Sequence, residues 1–261
     1  MESNSSSNRL RVSGKISADS TLLITDIFDL FPSSFYKLIP LLETRYRVIT
    51  YSDNGFDLFN RTKQLRHPTI QGYANDLIEL LREKNLTNVT YIAHSVNAFV
   101  AFHAVIKKPD LFDRIVLLSA LPYLKQDAKT QYRCGFEIDA DSGVLFDNML
   151  QPLTINDDSA EQLQSLLGYS FSKMNIDKAR LIFNLLMSTD CRNYLDKISI
   201  PVLIMQGIGD KMVTSEAAFF MHRRIPDSCI IKIRAKGHLP QSNAPEEVFH
   251  AMEIFLYPAV Y

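Results

Sequence analysis

The chain has 261 residues, of which 46% are hydrophobic, and 28 basic against 29 acidic residues leave a net charge of −1. This length and apolar content suit one domain, or one domain with an insertion, around a sizeable core. The balanced charge offers no polyanion-binding face, which argues against nucleic acid as a partner.

The N-terminal stretch "MESNSSSNR" is polar and has no apolar h-region, so it reads as a disordered tail over residues 1–8 and not as a secretory leader. "TLLITDI" at Thr21–Ile27 is the first short, apolar, β-rich run, and "YRVITYS" at Tyr46–Ser52 is the second. Between them "SFYKLIPLLET" has helical spacing interrupted by Pro40. The mixed charges of "SDNGFDLFNRTKQLRHP" suggest a solvated loop. "TIQGYANDLIELLREKNL" then sets Ile70, Ala74, Leu77, Ile78 and Leu81 on one helical face. "NVTYIAHS" is the next strand, followed by "VNAFVAFHAVIKKP", a buried helix ending at Pro109. "RIVLLSA", "PVLIMQG" and "CIIKIRA" are further strands, nearly unbroken apolar runs of the kind covered on both faces. Strands alternating with helices predict an α/β fold with a mostly parallel sheet and right-handed crossovers.

One segment breaks the alternation. Leu121–Ile200 has little strand character, and "SGVLFDNMLQPL", "SAEQLQSLLGYSFS" and "IDKARLIFNLLMS" all favour helices. This predicts a helical lid over residues 121–200, inserted into a core formed by residues 9–120 and 201–261. Cys134, Cys191 and Cys229 are odd in number and too widely spaced for a CxxC pair, which fits a reducing, cytoplasmic location and implies no disulfide framework or zinc site. No run of about 18 apolar residues occurs, so no membrane span is expected.

The chemistry concentrates in three short segments. "TYIAHSVNAF" places Ser95 after a strand and at the start of a helix, the setting of a nucleophile elbow, with Ala93 and Asn97 where Gly is usual. A hydroxyl is a weak nucleophile near neutral pH and needs an adjacent base, which in turn needs a partner to fix its tautomer. "PVLIMQGIGDKMV" delivers Asp210 just past a strand, and "CIIKIRAKGHLP" delivers His238 just past the next. Each type alone is ordinary: a Ser after a strand caps a helix, and an Asp in a glycine loop makes a turn. In the order Ser, Asp, His, all at carboxyl ends of parallel strands, they predict a catalytic triad. His67, His94, His103, His222 and His250 lack this setting and read as structural.

These segments carry a resemblance. "AHSVNAFVAFHAVIKKPDLFDRIVLLSALPYL" is similar to the pattern GHSVxAxxxxxAxxxxPxLFxxLxxxxxSPxxL of the RsbQ-type hydrolases and the plant karrikin and strigolactone receptors, within the α/β-hydrolase fold. "CGFE" at Cys134–Glu137 resembles the GGFE that opens their lid, and "IPVLIMQGIGDKMV" and "KGHLPQSNAPEEV" resemble their acid and histidine segments. The resemblance runs from about Thr21 to near the C-terminus. It implies Ser95 as nucleophile, Asp210 as acid, His238 as base, and a four-helix lid over a largely apolar pocket. It also implies an oxyanion hole from the backbone N–H groups of Phe28 and Val96.

One departure stands out. Where the group carries His-Gly-Phe-Gly after its first core strand, this chain reads Asp26-Ile27-Phe28-Asp29. Glycines serve where φ is positive or backbones approach closely, and two carboxylates now stand near a place where negative charge develops. Phe136, Phe146, Leu150, Leu167, Phe171 and Phe183 of the lid, with Leu239 beside the histidine, are the candidates for lining the pocket. The expectation is a slow serine hydrolase of a small hydrophobic ester or lactone. The alternative is a ligand sensor whose lidded pocket controls a regulatory protein partner. Neither a metal nor an organic cofactor is implied.

Overall fold

The computed structural model describes residues 9–15, 20–27, 34–52, 65–124 and 176–257. The predicted tail, the charged loop over residues 53–64, Phe28, Asp29 and the lid candidates Phe136, Phe146, Leu150, Leu167 and Phe171 lie outside the described residues.

Seven strands form one sheet: β1 (Arg9–Gly14), β2 (Thr21–Thr25), β3 (Arg47–Ser52), β4 (Val89–His94), β5 (Phe112–Leu118), β6 (Val202–Gly209) and β7 (Ser228–Lys236). Their spatial order is β1-β3-β2-β4-β5-β6-β7. β2 to β7 pair in parallel, and β1 pairs antiparallel with β3. β1 was not expected from the sequence. "RLRVSG" has only Leu10 and Val12 as apolar residues, too short an alternation to stand out from the polar tail, and it becomes a strand because the edge of β3 offers it a ladder.

The α-helices of six residues or more among the described residues are α1 (Leu38–Glu43), α2 (Ile70–Glu83), α3 (Ala98–Lys107), α4 (Ile176–Ser188), α5 (Ser215–Arg224) and α6 (Pro245–Leu256). Pro40 does not break α1, because it sits in the first turn, where its missing N–H would have no helical partner. α2 ends as Asn85 takes φ 52°, with Leu86 N–H on the Leu81 carbonyl at 2.8 Å and Asn85 N–H on that of Arg82 at 3.0 Å. This is a Schellman stop with Asn in the left-handed position. No described helix is long and apolar enough to cross a membrane.

Alternate residues of the same strands feed two cores. Leu23, Tyr91, Ala93, Ile115, Leu117 and Ile204 pack under α2 and α3. Leu22, Ile24, Ile92, Val116, Leu118, Leu203 and Met205 pack under α1 and α6. β6 is buried over its first six positions, the double-sided burial its apolar run predicts, and β4 is buried at all six positions although Thr90 and His94 interrupt its apolar residues. β7 departs from that expectation: Cys229, Lys232, Arg234 and Lys236 are exposed, because the strand is the sheet edge and only its inward residues Ile233 and Ala235 are buried.

Within 121–200, the described parts do not all stand apart from the core. Cys191, Leu195 and Ile198 are buried in the cluster under α2 and α3, and Cys191 N–H bonds the Pro122 carbonyl at 2.8 Å.

The two sides of α6 give a direct test of this layering. Met252 is fully buried whereas Ile254 is 70% exposed. Met252→Ala is expected to cost about 2–5 kcal/mol, and Ile254→Ala to change stability by no more than about 0.5 kcal/mol, both read from urea unfolding midpoints.

Candidate active site

Chain direction decides where a site can form. From β2 the sheet grows one way through β3, and from β4 it grows the other way through β5, β6 and β7. The carboxyl ends of β2 and β4 therefore flank a switch point, where the outgoing loops part and leave a crevice. Asp26 and Ile27 follow β2; Ser95 follows β4.

Ser95 turns the chain from β4 into a short helical turn, Ser95–Asn97, that runs into α3. Its φ is 52°, a left-handed conformation that costs a non-glycine residue free energy and persists where packing holds it. The small, fully buried Ala93 leaves room for that reversal. Asp210 leaves β6 and His238 leaves β7, after Gly237 turns at φ 84°.

These three side chains, far apart in the chain, meet. His238 Nε2 lies 2.8 Å from Ser95 Oγ, and His238 Nδ1 lies 2.9 Å from Asp210 Oδ2. The imidazole and the carboxylate have no exposed side-chain surface. Asp210 Oδ1 accepts the backbone N–H groups of Met212 and Val213, each at 2.9 Å, and Gln206 Nε2 donates to Oδ2 at 3.2 Å. Burial alone would raise the Asp210 pKa. The His238 imidazole, the hydrogen bonds from His238 and Val213, and the Ser119 hydroxyl together hold it below its ordinary value. A carboxylate so held keeps the imidazole Nδ1–H pointed at itself and leaves Nε2 free to take a proton from the hydroxyl.

Two side chains around this array were not singled out from the sequence in these positions. His94, read as merely structural, lies against His238 with ring centroids 4.8 Å apart, and its Nε2–H donates to the His238 carbonyl at 2.8 Å. Burial first, and the neighbouring His238 second, lower its pKa to about 3, so it stays neutral. Asn97, expected as a tolerated polar residue in the first helical turn, is only 3% exposed, and its carboxamide reaches back to Asp26 and Ile27. No local pattern reveals either contact, because each joins segments that only the sheet brings together.

Of the remaining sequence candidates, Val96 sits beside Ser95 at 7% exposure and Leu239 is fully buried behind His238. Phe183 falls on α4, with its side chain outside the described atoms. Asp26 is half-buried and accepts a hydrogen bond from Asn97.

The sequence profile of the alpha/beta hydrolase fold matches residues 29–245. The chain belongs to the α/β-hydrolase family. This hydrolase is 29% identical, over 88% of both chains, to karrikin insensitive 2 receptor IA of Petunia hybrida. It is 30% identical, over 83% of both, to a probable esterase of Oryza sativa subsp. japonica. A solved hydrolase from Oleispira antarctica shares the fold at a TM-score of 0.82 and 22% identity, with 97% of this chain and 96% of that one covered. The resemblance to the karrikin and strigolactone receptor group is thus met by the relatives themselves.

The buried imidazoles make acid stability a test of the site. His94 in the unfolded chain takes a proton near pH 6.5, and in the folded chain only near 3. Its folded pKa is depressed, so protons favour unfolding as pH falls through that window. His103, also lowered by burial, acts in the same direction. Asp210 works lower: the stability from its depressed pKa is present above 3.8 and lost as pH falls through the folded value. Lowering the pH from 6.5 to about 4.5 should therefore remove roughly 2–3 kcal/mol through His94. His94→Gln, which keeps a donor for the His238 carbonyl, should flatten that limb in urea titrations; an unchanged slope would place the titrating group elsewhere.

Proposed function

We propose that the protein is a serine hydrolase of a small hydrophobic ester or lactone. The observation that carries this reading is the hydrogen-bonded order Ser95–His238–Asp210 at the switch point of the sheet. His238 Nε2 takes the Ser95 proton as Oγ attacks the substrate carbonyl. The negative charge then gathers on the carbonyl oxygen, for which the Val96 N–H at the start of the helical turn and the Phe28 N–H are the proposed donors. His238 returns the proton to the departing alkoxide, leaving an acyl group on Ser95. Water, deprotonated by the same nitrogen, attacks the acyl carbon; the bond to Ser95 Oγ breaks, His238 returns the proton to Oγ, and the acid is released. Asp210 stays ionised throughout and stabilises the imidazolium.

Residues 121–200 act in this reading as a helical lid, with Phe136, Phe146, Leu150, Leu167, Phe171, Phe183 and Leu239 bounding an apolar pocket. An aromatic-rich cover fits a small apolar ligand better than a peptide or polysaccharide. The Asp26-Ile27-Phe28-Asp29 loop, with its two carboxylates, makes turnover slow.

A second reading is favoured by the receptor among the relatives: a sensor in which ligand capture under the lid controls a regulatory protein partner. A fluorophosphonate probe separates the two. As a hydrolase the protein should gain one adduct, located at Ser95 by mass spectrometry, and Ser95→Ala should abolish p-nitrophenyl ester turnover with the fold retained. The double variant Ser95→Ala/His238→Ala should lose no more than Ser95→Ala alone, because such residues act as a unit. A folded protein that stays unmodified would favour the sensor.

A further inference from the structure

Asn97 occupies the elbow position where Gly is usual, and its carboxamide is spent across the switch point. Its Oδ1 accepts the Ile27 N–H at 3.0 Å, and its Nδ2 donates to Asp26 Oδ1 at 3.4 Å. Both bonds link residues about 70 positions apart in the chain. Asn97 itself is fixed: it is helical, with φ −60° and ψ −20°, and 3% exposed. Ile27 is 1% exposed, so its amide needs a partner within the protein.

The two contacts need opposite polarities. The amide needs an acceptor and the carboxylate needs a donor, and a carboxamide supplies both from one short side chain. Gly and Ala supply neither. The two unusual residues of this site, Asp26 where the group has His and Asn97 at the elbow, therefore answer each other.

We propose that Asn97 is a positioning residue that ties the loop after β2 to the nucleophile elbow, and that it does so only in combination with Asp26. This rests on the serine-hydrolase reading above. Ile27 is the residue before Phe28, so fixing its amide leaves only the φ and ψ of Ile27 between the clamp and the proposed oxyanion donor. A clamp of this kind sets transition-state stabilisation and leaves substrate binding largely alone.

An exchange of side chains tests the pairing. Asn97→Asp keeps an acceptor for Ile27 but sets a carboxylate against Asp26. Asp26→Asn with Asn97→Asp restores a donor opposite an acceptor. With Asp26 present, Asn97→Asp should lower kcat and the rate of phosphonate labelling of Ser95 by at least roughly tenfold, with KM little changed. In the Asp26→Asn background, the same replacement should cost less than about threefold. The loss in the single variant should shrink, relative to the parent, as pH falls, since a like-charged pair is relieved when one carboxyl takes a proton. Hydrogen exchange at the Ile27 amide reads the clamp without reference to activity, and should be fast in Asn97→Ala and slow in the exchanged pair. Equal costs in both backgrounds, or a single variant changed only in melting temperature, would overturn the pairing while Ser95 still labels. A parent that never labels would instead overturn the hydrolase reading, and Ile27 exchange would still decide the clamp.

Discussion

The site depends on a sheet that cannot shift. β4 is buried at every position, and its neighbours contribute alternate residues to the clusters above and below. Moving any strand by one residue would turn its apolar side chains to the wrong layer and leave ladder groups unpaired. The carboxyl ends of β2, β4, β6 and β7 are therefore held at fixed heights, and short loops are enough to bring Asp26, Ser95, Asp210 and His238 to one crevice.

Strain and polarity concentrate at that crevice. Ser95 and Ser119 both take positive φ at strand ends, at 52° and 44°. Ordinary packing would not choose these conformations; they persist because buried strands lead into them. The buried carboxylate there is met by several partners. Asp210 takes two backbone amides, the Gln206 carboxamide and the His238 ring, and His238 is braced from behind by His94 through its carbonyl. A buried carboxylate is tolerated only with such partners. The same partners keep the imidazole in one orientation.

The change of residues after β2 acquires a structural context from Asn97. Taken as a string, Asp26-Ile27-Phe28-Asp29 is simply a loss of two glycines and a gain of two charges. Beside α3, Asp26 and Ile27 are partners of a buried carboxamide. An isolated carboxylate near a developing oxyanion opposes it, whereas a carboxylate that accepts a hydrogen bond is partly offset.

Apolar patterning determined the α/β class, the helical face of α2 and the positions of the six parallel strands, because burial on one or both faces leaves a repeat in the chain. Motif and order singled out Ser95, Asp210 and His238, because an elbow and two strand-end loops are local features. The short edge strand β1, the half-exposed face of β7, and the contacts of His94 and Asn97 were decided only by the tertiary structure. An edge strand is defined by the neighbour it lacks, and a clamp between residues 27 and 97 exists only once the sheet has set β2 beside β4.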